Sequence, residues 1–98
     1  MTMIAETFHP AEYICAELEA RGWTVGDLVA SAHGSPIDHL ALQLYLCNQE
    51  PDVILGDLDS VLARGFGTSK EMWRNLHSAW RAAPDRSQPF DVPEELLE

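Results

Sequence analysis

Basic side chains are scarce in this chain. Its 98 residues hold 6 Lys and Arg against 16 Asp and Glu, a formal net charge of −10. Phosphate neutralisation by Lys and Arg supplies most of the affinity of proteins for nucleic acid, so this balance argues against nucleic acid as a default partner. Cysteine is nearly absent. Cys15 and Cys47 form neither a CxxC nor a metal-ligand spacing, the usage of a reducing compartment. No apolar run approaches the roughly 18 residues a membrane span needs. The start, Met1-Thr-Met-Ile-Ala-Glu, lacks a basic region ahead of an apolar one. The expectation is a soluble, cytoplasmic protein without a membrane partner. Phosphate-binding loops are missing too: Gly65-Phe66-Gly67 precedes a helix but has no P-loop lysine and no preceding strand. His9, His33, His39 and His77 pair with no other His, Cys or carboxylate at a ligand spacing, and read as helix-end and surface histidines. No metal, cofactor or catalytic residue is expected, and the chain does not read as an enzyme.

What is present is helical. Period-two alternation is lacking, and apolar residues recur at spacings of three and four. A first helix begins at Pro10, carries Ala11, Ile14, Cys15 and Leu18 on one face, and ends at Gly22. A second starts at Thr24, with Asp27 closing a capping box; it carries Leu28, Val29 and Ala32 and stops at His33-Gly34. Ser35-Pro36-Ile37-Asp38 opens a third: a cap, a proline and an acid favoured by the helix dipole. Ile37, Leu40, Ala41 and Leu44 form its expected core face, with Leu42, Tyr45 and Leu46 opposite. A fourth helix starts between Asp52 and Gly56, carries Leu58, Val61 and Leu62, and ends at Gly65-Phe66-Gly67. The fifth opens at Thr68-Ser69-Lys70-Glu71, a capping-box pattern, followed by an apolar stripe of Met72, Trp73, Leu76, Ala79 and Trp80. The sum is an all-α, compact five-helix bundle. Residues 1–7 form an N-terminal extension, 8–83 the domain, and 84–98 a short acidic, Pro-containing C-terminal tail. A domain this small buries roughly 60–65% of its unfolded surface, a thin core that a partner can supplement.

Two short helices joined by a glycine-containing turn suggest a helix-turn-helix. Phe8-His9-Pro10-Ala11-Glu12-Tyr13, then Leu18-Glu19-Ala20-Arg21-Gly22-Trp23-Thr24, then Asp27-Leu28, resembles the opening of HigA-type antitoxins. That family, within the Xre-like helix-turn-helix superfamily, opens with an H-P-G-E-x-L stretch and then a G-W-T/S-x-x-x-L stretch. Leu62-Ala63-Arg64 and Gly67-Thr68-Ser69-Lys70-Glu71-Met72-Trp73-Arg74-Asn75-Leu76-His77 resembles its L-A-x-x-x-G-T-S-x-E-F-W-x-N-L-Q segment. The resemblance covers roughly residues 8–81. It implies a five-helix, often dimeric domain that binds its operator through the third helix and neutralises a ribonuclease toxin. The middle departs from the pattern: Pro36 to Asn48 is longer and more apolar than the family's recognition helix, and Gln49-Glu50-Pro51-Asp52 replaces its basic turn.

Between Gly22 and Ala63 there is no Lys or Arg, while Asp27, Asp38, Glu50, Asp52, Asp57 and Asp59 all lie there. A reading helix needs groups that grip phosphates and others that read base edges. Here His39, Gln43 and Asn48 are the residues left to do so. The expectation is therefore weak or lost DNA binding and a main role in binding a protein, for example a basic toxin. Leu42, Tyr45 and Leu46 are the expected partner interface, for a homodimer or a foreign protein, unless the helix simply packs deeper in its own domain. Phe90, Leu96 and Leu97 would anchor the tail on a basic partner, or else the tail is solvated. Two alternatives stand beside this. One is a DNA-binding autorepressor and antitoxin dimer. The other is an acidic inhibitor that mimics DNA, with Glu50, Asp52, Asp57, Asp59 and the tail as its surface.

Overall fold

Gly22 halts the first helix by adopting a left-handed conformation, φ 69°. The turn closes with Trp23 N–H donating to the Leu18 carbonyl at 2.9 Å and Gly22 N–H to that of Glu19 at 3.2 Å, which satisfies carbonyls a helix end leaves unpaired. The computed structural model describes residues 8–83 and 89–98. The expected N-terminal extension, 1–7, and the first part of the tail lie outside the described residues. Within them the chain is all-helical, with no strand: α1 (Pro10–Arg21), α2 (Val25–Ser31), α3 (Pro36–Cys47), α4 (Leu58–Phe66), α5 (Lys70–Ala82) and a 3-10 turn, Glu94–Leu97.

Local chemistry sets the helix starts. Thr24 and Asp27 cap α2 reciprocally, and Ser35 and Asp38 do the same for α3; in each pair the cap residue's N–H donates to the carboxylate at 2.9 Å. α1 is capped by His9, whose Nδ1 accepts from Ala11 N–H at 2.9 Å. Two starts differ from expectation. α4 begins at Leu58, later than the 52–56 window, behind a loop pinned by buried Leu55. α5 is capped by Ser69, which accepts from Met72 N–H at 3.1 Å, so Thr68 is not the cap and no capping box forms. The Thr68 hydroxyl is taken instead by the Trp73 indole N–H, 2.8 Å away. On α5 the buried side chains are Trp73, His77 and Trp80, while Met72 and Ala79 face outward.

The core gathers Ile14, Leu18, Val25, Leu28, Leu62 and Trp73 among its most enclosed residues. α2 packs on α3 and α4, α4 on α5, and α1 on α5. α2 approaches α4 closely at Gly65. A Cβ at Gly65 would sit 2.9 Å from the Leu28 carbonyl oxygen and would also run into the Leu28 side chain. Side chains brace the same junction: Ser31 Oγ donates to the Gly65 carbonyl at 3.1 Å, and Arg64 Nε to that of Ala32 at 3.1 Å. From α1, Arg21 donates to the Phe66 carbonyl at 3.3 Å with its guanidinium 4.8 Å over the Phe66 ring.

His9 and His77 are buried rather than surface histidines. His9 lies against Tyr45 and Trp80, ring centroids 4.9 and 4.6 Å away, and the Tyr45 hydroxyl pairs with His77 Nδ1 at 2.7 Å. Nothing in the sequence pattern announces this cluster, because its members come from α1, α3 and α5. Burial, with the His77 charge in second place, lowers His9 from 6.5 to about 4. Burial and then Arg81 lower His77 as well. At Asp59, burial opposes ionisation, but the hydrogen bonds from Arg74 and Ser60 outweigh it and hold the carboxyl below its usual range. Cys15 is buried, and burial followed by Glu19 and Glu12 pushes its thiol up to about 12; Cys47 is exposed.

Two outcomes follow. Gly65→Ala should lower stability to urea by about 1–3 kcal/mol, the cost of overpacking, although Ala is the better helix former by roughly 1 kcal/mol. A gain in stability would remove the close approach from the account. A His with a depressed folded pKa contributes stability that is complete above its unfolded pKa and is lost as pH falls. Stability should therefore drop between pH 6.5 and about 4, by at most about 3 kcal/mol from His9. His9→Asn keeps a capping side chain without a titrating ring, and urea titrations across that range should show a shallower slope.

Candidate functional site

α3 is a twelve-residue helix with three differently occupied sides. Its inner side carries Leu42, Tyr45 and Leu46, all buried. This reverses the expected faces: the residues assigned to a partner interface are core, and those assigned to the core are outside. The reason is tertiary. Tyr45 reaches the buried cluster of His9 and His77, where its hydroxyl finds a partner at 2.7 Å and its ring meets other rings. Burial pushes its phenol well up. Leu42 and Leu46 follow Tyr45 inward because they lie within one helical turn of it.

The second side is covered by the chain's own C-terminal segment. Gln43 Nε2 donates to the Leu97 carbonyl at 2.6 Å, and His39 Nε2 lies 3.4 Å from the same oxygen. Gly26 N–H donates to a Glu98 oxygen at 3.2 Å. Upstream, Gln49 forms a two-way amide pair with Phe90, donating at 2.8 Å and accepting at 2.7 Å. Leu96 is buried in the core, and Phe90 and Leu97 pack against it. These three residues are therefore neither anchors waiting for a partner nor part of a solvated end. Apolar burial holds the segment, and side-chain amides set its register. Asn48, the third residue expected to read bases, donates from Nδ2 to the Leu44 carbonyl at 2.7 Å and closes the helix end.

The third side is open. Ile37, Leu40 and Leu44 are 76%, 56% and 54% exposed, and Ile54, in the loop before α4, is 68% exposed. Between α3 and the loop before α4 runs a groove of about 490 Å³, lined by Ala41, Leu44, Val53, Ile54, Asp38 and Asp57 among others. Single exposed leucines are ordinary, but four large apolar residues on one ridge and groove form the contiguous kind of surface that marks an interaction site. No protein family, curated protein or solved structure matches the chain.

The chemistry of this face is simple. It has no cation: residues 22–63 contain neither Lys nor Arg. Three of the chain's cations are held elsewhere: Arg21 pairs with Glu17 and Phe66, Arg64 holds the Ala32 carbonyl, and Arg74 pairs with Asp59. No group of three or more His, Cys, Asp or Glu suited to a metal comes together among the described residues, and no helix there is long and apolar enough to cross a membrane. A second depression, of about 430 Å³, lies on the far side of the same loop, lined by Asp59, Arg74, His77 and Arg81 among others.

The sequence carried one usable signal for the open face. Ile37, Leu40 and Leu44 recur at helical spacing with acids nearby, but Leu42, Tyr45 and Leu46 recur just as well. Substitution separates the two sides. Leu44→Ser and Leu40→Ser should each change stability by less than about 0.5 kcal/mol, as exposed positions do. Leu46→Ala should cost about 2–5 kcal/mol by leaving a cavity. Urea denaturation of the three variants checks the order, and the reverse order would return the leucines of the open face to the core.

Proposed function

We propose that this chain is a helix-turn-helix protein of the HigA-like, Xre type whose main work is to hold a protein partner, for example a basic toxin, with DNA reading weak or lost. The observation that carries this reading is the open face of α3. In a helix-turn-helix the outward side of the second helix meets the major groove. Here that side presents Ile37, Leu40 and Leu44. Such a face offers no grip on phosphate and almost nothing that hydrogen-bonds to a base edge. The polar residues that could have read bases are engaged inside the chain, Gln43 and His39 with Leu97 and Asn48 with its own helix.

The helix-turn-helix part of the reading is supported by α2 and α3, two capped helices that pack on each other across the short turn 32–35. It is supported further by the segments around Gly22-Trp23-Thr24 and Gly67-Thr68-Ser69 that resemble HigA-type antitoxins. Both segments act structurally: Gly22 and Gly67 end helices in left-handed conformations, and Ser69 caps α5.

The discriminating measurement is fluorescence anisotropy with the DNA upstream of the chain's own reading frame. Binding at about 50 mM salt should be weak and indifferent to sequence, and should not rise above background at about 200 mM, because a face without Lys or Arg offers neither phosphate grip nor base readout. A sequence-specific complex that survives the higher salt would overturn this reading in favour of a DNA-binding autorepressor.

A further inference from the structure

We infer that the open face of α3 and the groove beside it seat an amphipathic helix from another protein, apolar at its centre and flanked by Lys and Arg. The inference rests on the partner-binding reading above and gives the partner its chemistry. The shape argues for a helix. Ile37, Leu40 and Leu44 form a ridge about 10 Å long, seven residues at the helical rise, and Leu44 at its end shares with Ile54 the lining of a groove of about 490 Å³. A ridge and groove of this kind take side chains spaced i, i+3 or i+4, and i+7 on a partner helix. Strand addition would need a sheet edge, and there is no strand among the described residues.

Charge selects among helices. Asp38 and Asp57 line the groove, and Glu50 and Asp52 are exposed in the loop that forms its outer wall. No Lys or Arg between residues 22 and 63 offsets them. A second copy of this chain seated face to face would bring two such acidic rims together, and Arg21, Arg64 and Arg74 are already held within their own chain. Like charges brought together at an interface reject a partner, whereas opposite charges steer and orient it. A basic rim around an apolar stripe is the complement.

The probe is a labelled peptide of about three heptads, Leu at a and d and Lys at e and g, with a Glu-flanked twin of the same apolar face. The full chain should bind the Lys peptide at least about tenfold more tightly than the Glu peptide, with an affinity that falls as salt rises. Leu40→Glu with Ile54→Glu should weaken the Lys peptide at least about tenfold, although it adds two negative charges; attraction to a merely acidic surface would strengthen. Asp52→Asn with Asp57→Asn should reduce both the preference and the salt dependence while the peptide still binds. Asp57 makes no capping hydrogen bond, so this variant leaves α4 intact. All four positions are exposed, and unchanged circular dichroism and thermal midpoint verify the fold.

Equal binding of the two peptides, binding of neither, or tighter binding by the glutamate variant would each overturn the inference. So would a dimer in sedimentation that Leu40→Glu dissolves, since the occupant would then be a second copy. These failures leave the broader reading standing, because that one falls only on a salt-resistant complex with its own upstream DNA.

Discussion

The close approach of α2 to α4 at Gly65 holds the remainder of the molecule in place. Without a side chain there, the Leu28 carbonyl comes near enough that even a methyl group has no room. Because the two helices meet at that separation, Ser31 and Arg64 can each reach across to a carbonyl of the other. α3 hangs from α2 through a turn in which His33 is left-handed, φ 57°. A shift in the α2–α4 spacing would therefore carry α3 with it, and with α3 the open ridge, the groove and the site of C-terminal docking. A glycine in a helix interior costs roughly 1 kcal/mol of propensity. Here that loss is offset by apolar burial between the two helices.

Much of the fold was legible because it is written in local chemistry. Thr24 with Asp27, Ser35 with Asp38, and Gly22 each act over four residues or fewer, and each does in three dimensions what its position along the chain suggests. The inward face of α1 was legible for a related reason: Ala11, Ile14, Cys15 and Leu18 face only the less bulky row of Tyr13, Ala16 and Ala20 on the other side of their helix. α3 does have one. Two apolar stripes compete for the core, and the winner is set by Tyr45 meeting His9 and His77, residues 36 positions before it and 32 after it. No pattern confined to one helix encodes that meeting. The candidate site was therefore half legible: apolar, uncharged outward character on α3 was readable, and the residues that provide it were not. Thr68 shows the same effect on a smaller scale, since its hydroxyl serves an indole that sequence spacing does not reveal.

The charge imbalance acquires a location in this arrangement. Three of the six cations, Arg21, Arg64 and Arg74, tie down helix ends and one buried carboxylate. Asp38 and Asp57 line the groove, and Glu50 and Asp52 are exposed in the loop beside it. The molecule thus carries a strong net negative charge, and the open apolar ridge of α3 is also flanked by acids. Long-range attraction and short-range fit then favour the same class of partner.

The docking of the C-terminal segment also bears on the order of folding. Helical proteins of this size usually fold through contacts between near neighbours in sequence. The hydrogen bond from Gln43 to Leu97 instead spans 54 positions, and that from Gly26 to Glu98 spans 72 (98 − 26). Closing such loops costs entropy that grows slowly with length and is recovered only once the landing site exists. Loop-closure entropy therefore favours docking of the segment after the bundle has assembled. Held by one buried leucine and a handful of hydrogen bonds, the segment can open locally at less cost than the five helices. Amide exchange would then be fastest at Gly26 and Leu96 relative to their burial, and each opening would briefly bare His39 and Gln43 to solvent.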